Sequence, residues 1–120
     1  MSSLIYSLAL LTAALLAIGQ LLFKVGSSKI EATSASGFIM AAITNPILIF
    51  AVALYGFTIL IWIYVLNKMP LSIAYPITGL AYIIVPVISY YFLGEKISPL
   101  VMIGSLLILA GISLIARSSL

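Results

Sequence analysis

The 120-residue chain contains no cysteine and no histidine. The first absence excludes disulfides, thiolate metal sites and a cysteine nucleophile, and the second removes the commonest base and metal ligand. Acidic residues are almost missing: Asp and Glu together number 2, and both are glutamates, Glu31 and Glu95. They fall between the long apolar runs, so no carboxylate is placed within hydrocarbon to bind a cation or carry a coupling proton. Proton-driven cation antiport is disfavoured on that ground. The chain also lacks a metal-ligand cluster, a catalytic triad, a phosphate-cradling glycine loop and a pair of buried carboxylates. It therefore offers no catalytic residue, no metal site and no cofactor site, and an enzyme is not expected. A formal net charge of +3, spread along the chain, is too diffuse to mark a nucleic-acid partner.

What is present is hydrocarbon: 65% of residues are hydrophobic, 6% are charged, and mean hydropathy is +1.40. That balance places the chain in a bilayer, where each crossing takes about 20 apolar residues. An all-α integral membrane protein of four spans with short loops fits the length. The spans are expected at 4–25, 46–66, 71–93 and 99–116, as a single membrane domain. No Lys or Arg precedes Lys24, so the first run lacks the basic flank of a cleaved signal and is expected to remain. A polar stretch, Gly26 to Ser36, follows it. The uncharged run from Ala32 to Asn67 is too long for one crossing, and Asn45-Pro46 divides it, because Asn caps a helix and Pro suits its first position. Residues Gly37 to Ile43 are too few to cross and are expected as a short interfacial helix. Asn67 to Pro70 reads as a tight turn, Gly94 as a helix stop, and Ser98-Pro99 as the next cap and start. Lys68 and Arg117 lie on one side and Lys24, Lys29 and Lys96 on the other, so the charge bias is weak. Both a single fixed orientation and dual insertion stay open.

Polar side chains within spans should face protein or a cavity. On the first span Tyr6, Ala13, Ala17, Gln20 and Lys24 share a face. Lys24 reads either as a ligand or as a snorkelling residue, whereas Gln20 lies deeper and needs a partner. On the second, Tyr55, Thr58 and Trp62 share a face, and Tyr64 points nearly the opposite way, as a belt residue would. The stretch PLSIAYPITGLAY opens the third span, where Ser72, Tyr75, Pro76, Gly79, Tyr82, Pro86 and Tyr90 form a stripe with Thr78 at its margin. This stripe is expected to wall a cavity and to bend at Pro76 or Pro86, with Gly79 leaving room for a neighbour or substrate. An interfacial anchoring role for the tyrosines is the alternative. The fourth span carries Gly104 and Gly111 two turns apart on one face, as expected of helix packing within the subunit or in a dimer.

Two segments carry a family resemblance. ALLAIGQLLFKVG, residues 14 to 26, resembles the first helix of the subunits that flip undecaprenyl-phosphate aminoarabinose, through Gln20 and Lys24. Residues 62 to 116 resemble both those subunits and the wider EamA-type domain, through P-x-S-x-A-Y-P at Pro70 to Pro76, L-G-E-K at Leu93 to Lys96 and the glycines of the last helix. The chain thus resembles the small four-helix members of the drug/metabolite transporter superfamily. Small multidrug resistance proteins share this architecture and the Ile73-Ala74-Tyr75 turn, but the chain has Leu16 where they carry a membrane-embedded glutamate and Thr78 where they carry an aromatic.

The resemblance implies a multi-pass protein of a prokaryotic inner membrane, working by alternating access as a homodimer or as a heterodimer with a related four-helix subunit. The expected substrate is lipid-linked or a small amphiphile, foremost a polyprenyl-phosphate sugar moved between leaflets amid membrane lipids. Gln20, Lys24, Tyr55, Trp62, Ser72, Tyr75, Thr78 and Tyr82 are the candidate binding residues. Two other functions stay open: export of organic cations over the faces of Tyr55, Trp62 and Tyr75, and a non-transporting scaffold subunit of a glycolipid enzyme.

Overall fold

A computed structural model describes residues 3–31 and 33–118. The described chain is helical in six segments: α1 (Ser3–Ser28), α2 (Ala35–Thr44), α3 (Pro46–Lys68), α4 (Leu71–Thr78), α5 (Ala81–Ile88) and α6 (Pro99–Ser118), with a π-helical turn over Ser89–Leu93. Among the described residues, four stretches are long and apolar enough to cross a membrane: Ser3–Ser28, Pro46–Lys68, Leu71–Leu93 and Pro99–Ser118. The protein is a multi-pass integral membrane protein. Large apolar side chains on its outer surface, from Leu10 on α1 to Leu114 on α6, are what hydrocarbon solvent requires.

Helix boundaries follow local chemistry. Asn45 Oδ1 accepts from the Ile47 and Leu48 N–H groups at 2.9 and 3.2 Å, and Pro46 holds the first helical position of α3. The same side chain donates through Nδ2 to the Gly26 carbonyl at 3.3 Å, tying the start of α3 to the end of α1. Ser98 Oγ likewise accepts from Val101 N–H at 3.3 Å. Gly94 stops the third span with φ 69°, in the left-handed region that favours glycine. Several boundaries shift by one to three residues from the expected ones, with α2 spanning Ala35–Thr44 and α6 ending at Ser118. α1 runs one turn past Val25 to Ser28, where Ser27 and Ser28 hydroxyls donate back to the Lys24 and Val25 carbonyls. α3 continues through Lys68, so the expected four-residue turn shrinks to Met69-Pro70, and Met69 is buried.

α1 is the central helix, packing against α3, α4 and α5. Ala9, Ala13 and Ala17 on one of its faces are at most 1% exposed, and with so little side chain between them the backbones come close. Glycines extend the seam: a Cβ on Gly26 would stand 2.6 Å from Leu48 Cδ2. The core, formed by Ile5, Ala9, Val65, Met69, Ala74 and Ile77, sits where the start of α1, the end of α3 and α4 converge. α6 is peripheral, resting on α4 and α5, and Ile112 is its one buried residue among those described.

Candidate functional site

Gln20 has the partner its depth demands. Its Nε2 donates to Tyr55 Oη at 2.5 Å, and the Tyr55 hydroxyl donates to the Leu16 carbonyl at 3.4 Å. The Tyr55 ring is held edge-on by Phe23, with centroids 5.0 Å apart and planes at 75°. Gly19 makes this possible, because a Cβ there would stand 2.2 Å from Tyr55 Cε1. Tyr55 therefore occupies a notch in α1. Gly19 and Phe23 are site-shaping residues that helical periodicity does not single out. The available signal is a glycine in mid-helix, a position that costs about 1 kcal/mol relative to alanine and so implies a packing reason.

Beside this notch is a cavity of about 250 Å³ between α1 and the far half of the third span. Gln20 and Lys24 line it from α1, Ser89 from the π turn, and Glu95 from the following loop, while Leu21, Val85, Ile88 and Leu93 supply apolar wall. Glu95 arrives there because the chain folds back after Gly94: the N–H groups of Gly94 and Glu95 both donate to the Ser89 carbonyl. A loop carboxylate and a helix ammonium, far apart in sequence, thus share one cavity. Sequence periodicity stops at the helix end and cannot find Glu95.

The third span is broken, as its prolines and glycine predict, but the break lies just beyond Pro76. α4 ends at Thr78 and α5 begins at Ala81, with tighter i to i+3 bonds from Gly79 N–H to the Pro76 carbonyl at 2.9 Å and from Leu80 N–H to the Ile77 carbonyl at 3.1 Å. A Cβ on Gly79 would stand 2.8 Å from the Pro76 carbonyl oxygen and 3.3 Å from Ile112 Cδ1, so the turn and the approach of α6 both use its small size. Pro86 removes the N–H that would bond the Tyr82 carbonyl, and Ser105 Oγ of α6 donates to that carbonyl at 3.4 Å. The π turn begins three residues after Pro86.

The remaining candidates lie elsewhere. Trp62 and Tyr75 meet edge to face at 6.4 Å and, with Ser72 and Pro76, line an open cavity of about 560 Å³. Tyr75, Thr78, Gly79 and Tyr82 line another of about 350 Å³ together with Gly111. Thr78 Oγ1 donates to the Tyr75 carbonyl at 2.5 Å, which occupies its hydroxyl proton. Tyr75 and Tyr82 are 67% and 68% exposed, so within one subunit they stand on the rim of these openings. Gln20, Lys24 and Tyr55 are thus brought together, and the aromatic group of α3, α4 and α5 forms a second place. Cβ atoms added to Gly104 or Gly111 would meet nothing within 4 Å, so neither glycine is spent on packing within the subunit.

Comparison with known proteins agrees with this architecture. A family model described as the EamA-like transporter family matches residues 3–117. A protein of Pseudomonas savastanoi pv. phaseolicola, named a probable 4-amino-4-deoxy-L-arabinose-phosphoundecaprenol flippase subunit ArnE, is 32% identical over 81 residues, covering 68% of this chain and 71% of its own. A Yersinia pestis protein of the same name is 32% identical over 111 residues, 92% of this chain and 95% of its own. Another, from Aeromonas hydrophila, reaches 44% over 54 residues, 45% and 47% of the two chains. No solved structure matches the chain.

Proposed function

The chain belongs to the EamA-like transporter family, and from that membership we propose that it is one subunit of a transporter that moves a phosphate-bearing amphiphile, foremost a polyprenyl-phosphate-linked sugar, between leaflets of a bacterial inner membrane. The observation that carries this reading is the cavity that Lys24 and Gln20 line together with apolar wall from the third span. An amphiphile needs both: a cation to attract phosphate as it leaves water, and hydrocarbon walls that do not penalise its lipid portion. Gln20, oriented by Tyr55, hydrogen-bonds the polar head. The broken third span supplies the movable wall, and a dimer, with a second copy or a related four-helix subunit, completes the path by alternating access. The naming of these relatives as subunits supports an assembly of this kind.

The test is a flipping assay in proteoliposomes with a fluorescent polyprenyl-phosphate sugar. Lys24→Ala and Gln20→Ala should each slow transport, and wild-type rates in both variants would remove these residues from the mechanism. A second reading, export of small organic cations, is favoured by the Trp62–Tyr75 edge pair over the 560 Å³ opening. It requires saturable binding of an aromatic cation that Trp62→Ala abolishes and Lys24→Ala does not.

A further inference from the structure

A groove of about 460 Å³ runs between α5, the π turn and α6, and its walls are almost wholly hydrocarbon, including Ile83, Pro86, Tyr90, Leu106 and Leu109. From Val101 to Leu109 it follows α6 for about 12 Å, eight residues at 1.5 Å each. Between this groove and the Lys24 cavity lies a third space of about 210 Å³, to which Lys96 contributes a second ammonium. The linking space shares Val85, Ser89 and Glu95 with the Lys24 cavity and Pro86, Ile97 and Val101 with the groove. The three spaces therefore adjoin in order, and their chemistry changes in the same order: mixed polar and charged, then a loop that carries both Glu95 and Lys96, then apolar.

We propose that this series is one binding track, in which the α5–α6 groove holds the hydrocarbon tail of the amphiphile, the linking space passes the chain, and the Lys24 cavity takes the phosphate and its head. This rests on the transport function proposed above and adds to it the tail subsite. Continuity with the cavity lined by Lys24, Gln20 and Glu95 selects the occupant. A helix from a second copy, about 10 Å across, could cover the groove but is too wide for the linking space of about 210 Å³, whereas a flexible chain is not. A phosphate-bearing head joined covalently to a hydrocarbon tail matches the two ends of the series.

The full chain in detergent should bind undecaprenyl phosphate at least about tenfold more tightly than ethyl phosphate, which carries the same phosphate on a tail too short to enter the groove. Leu106→Trp fills the groove and should erase that advantage while leaving ethyl phosphate affinity unchanged. Leu107→Trp, on the outer face of α6, should leave both affinities unchanged. Equal wild-type affinity for the two probes, or an advantage that persists in Leu106→Trp, would overturn the tail subsite while the headgroup reading stands. Binding of neither probe would overturn both. Should Leu106→Trp lose both probes through misfolding, photolabelling of the wild type with a diazirine-tailed undecaprenyl phosphate decides: adducts within residues 83–109 support the groove, and adducts confined to other regions refute it.

Discussion

The Ser105 hydroxyl donates to the Tyr82 carbonyl, the one main-chain oxygen that Pro86 deprives of its helical partner. In hydrocarbon an orphaned carbonyl finds no water, so this bond both fills the gap that Pro86 leaves in the hydrogen bonding of α5 and ties the peripheral α6 to α5. Ser105→Ala should destabilise the fold by about 0.5–1.5 kcal/mol. In a Pro86→Ala background the restored N–H takes over, and Ser105→Ala should then cost measurably less. A double-mutant cycle read by SDS-induced unfolding in mixed micelles tests the coupling, and additive losses would show the two residues to be independent.

Gly19 and Gly104 are both mid-helix glycines with opposite surroundings. Gly19→Ala pushes a methyl into the Tyr55 ring and should cost about 1–3 kcal/mol, as overpacking does. Gly104→Ala meets nothing within the subunit and should leave monomer stability within about 0.5 kcal/mol. Gly104→Leu and Gly111→Leu should instead weaken subunit association, measured by single-molecule photobleaching in liposomes, if this face packs against a partner subunit.

Tyr55→Phe keeps the ring in its notch but removes the acceptor for Gln20 Nε2. The loss in stability should be about 1–2 kcal/mol, since a polar group in a dry setting is left without its partner. Transport should fall with it, because Gln20 is no longer held toward the cavity. Rates unchanged from wild type would show that Gln20 orientation plays no part.

Lys24→Ala should slow flipping of the lipid-phosphate probe by about tenfold or more, the equivalent of about 1.4 kcal/mol for one charge-assisted contact. Lys24→Arg should retain most of the rate, since guanidinium also binds phosphate. A full loss in the arginine variant would point to a steric limit in the 250 Å³ cavity.

Asn45→Ala removes the cap of α3 and the tie to the Gly26 carbonyl together. The expected cost is about 1–2 kcal/mol. Hydrogen exchange at Ile47 and Leu48 should accelerate, while exchange near Val65 at the other end of α3 should not.

The architecture was legible because its signals are local. Asn45-Pro46 and Ser98-Pro99 start helices through contacts within one turn, and Gly94 stops one through its own backbone. The face shared by Ala13, Ala17, Gln20 and Lys24 follows from helical geometry, and α1 does bury its alanines while directing Gln20 and Lys24 to the cavity. Gly19 as a notch, Met69 as core and Glu95 as cavity lining were not legible, because each depends on a neighbour that is distant in sequence.

By itself the sequence determined the solvent, the number of crossings and the weak points of the third span, since hydropathy, proline and glycine act through the chain's own backbone and the bilayer. The tertiary structure alone decided which polar groups meet. It seated Tyr55 against Gly19 to hold Gln20, left Trp62 and Tyr75 at a separate opening, and folded Glu95 back into the cavity of Lys24. Those juxtapositions depend on how helices pack against one another across the bundle, and no periodicity along a single helix encodes that.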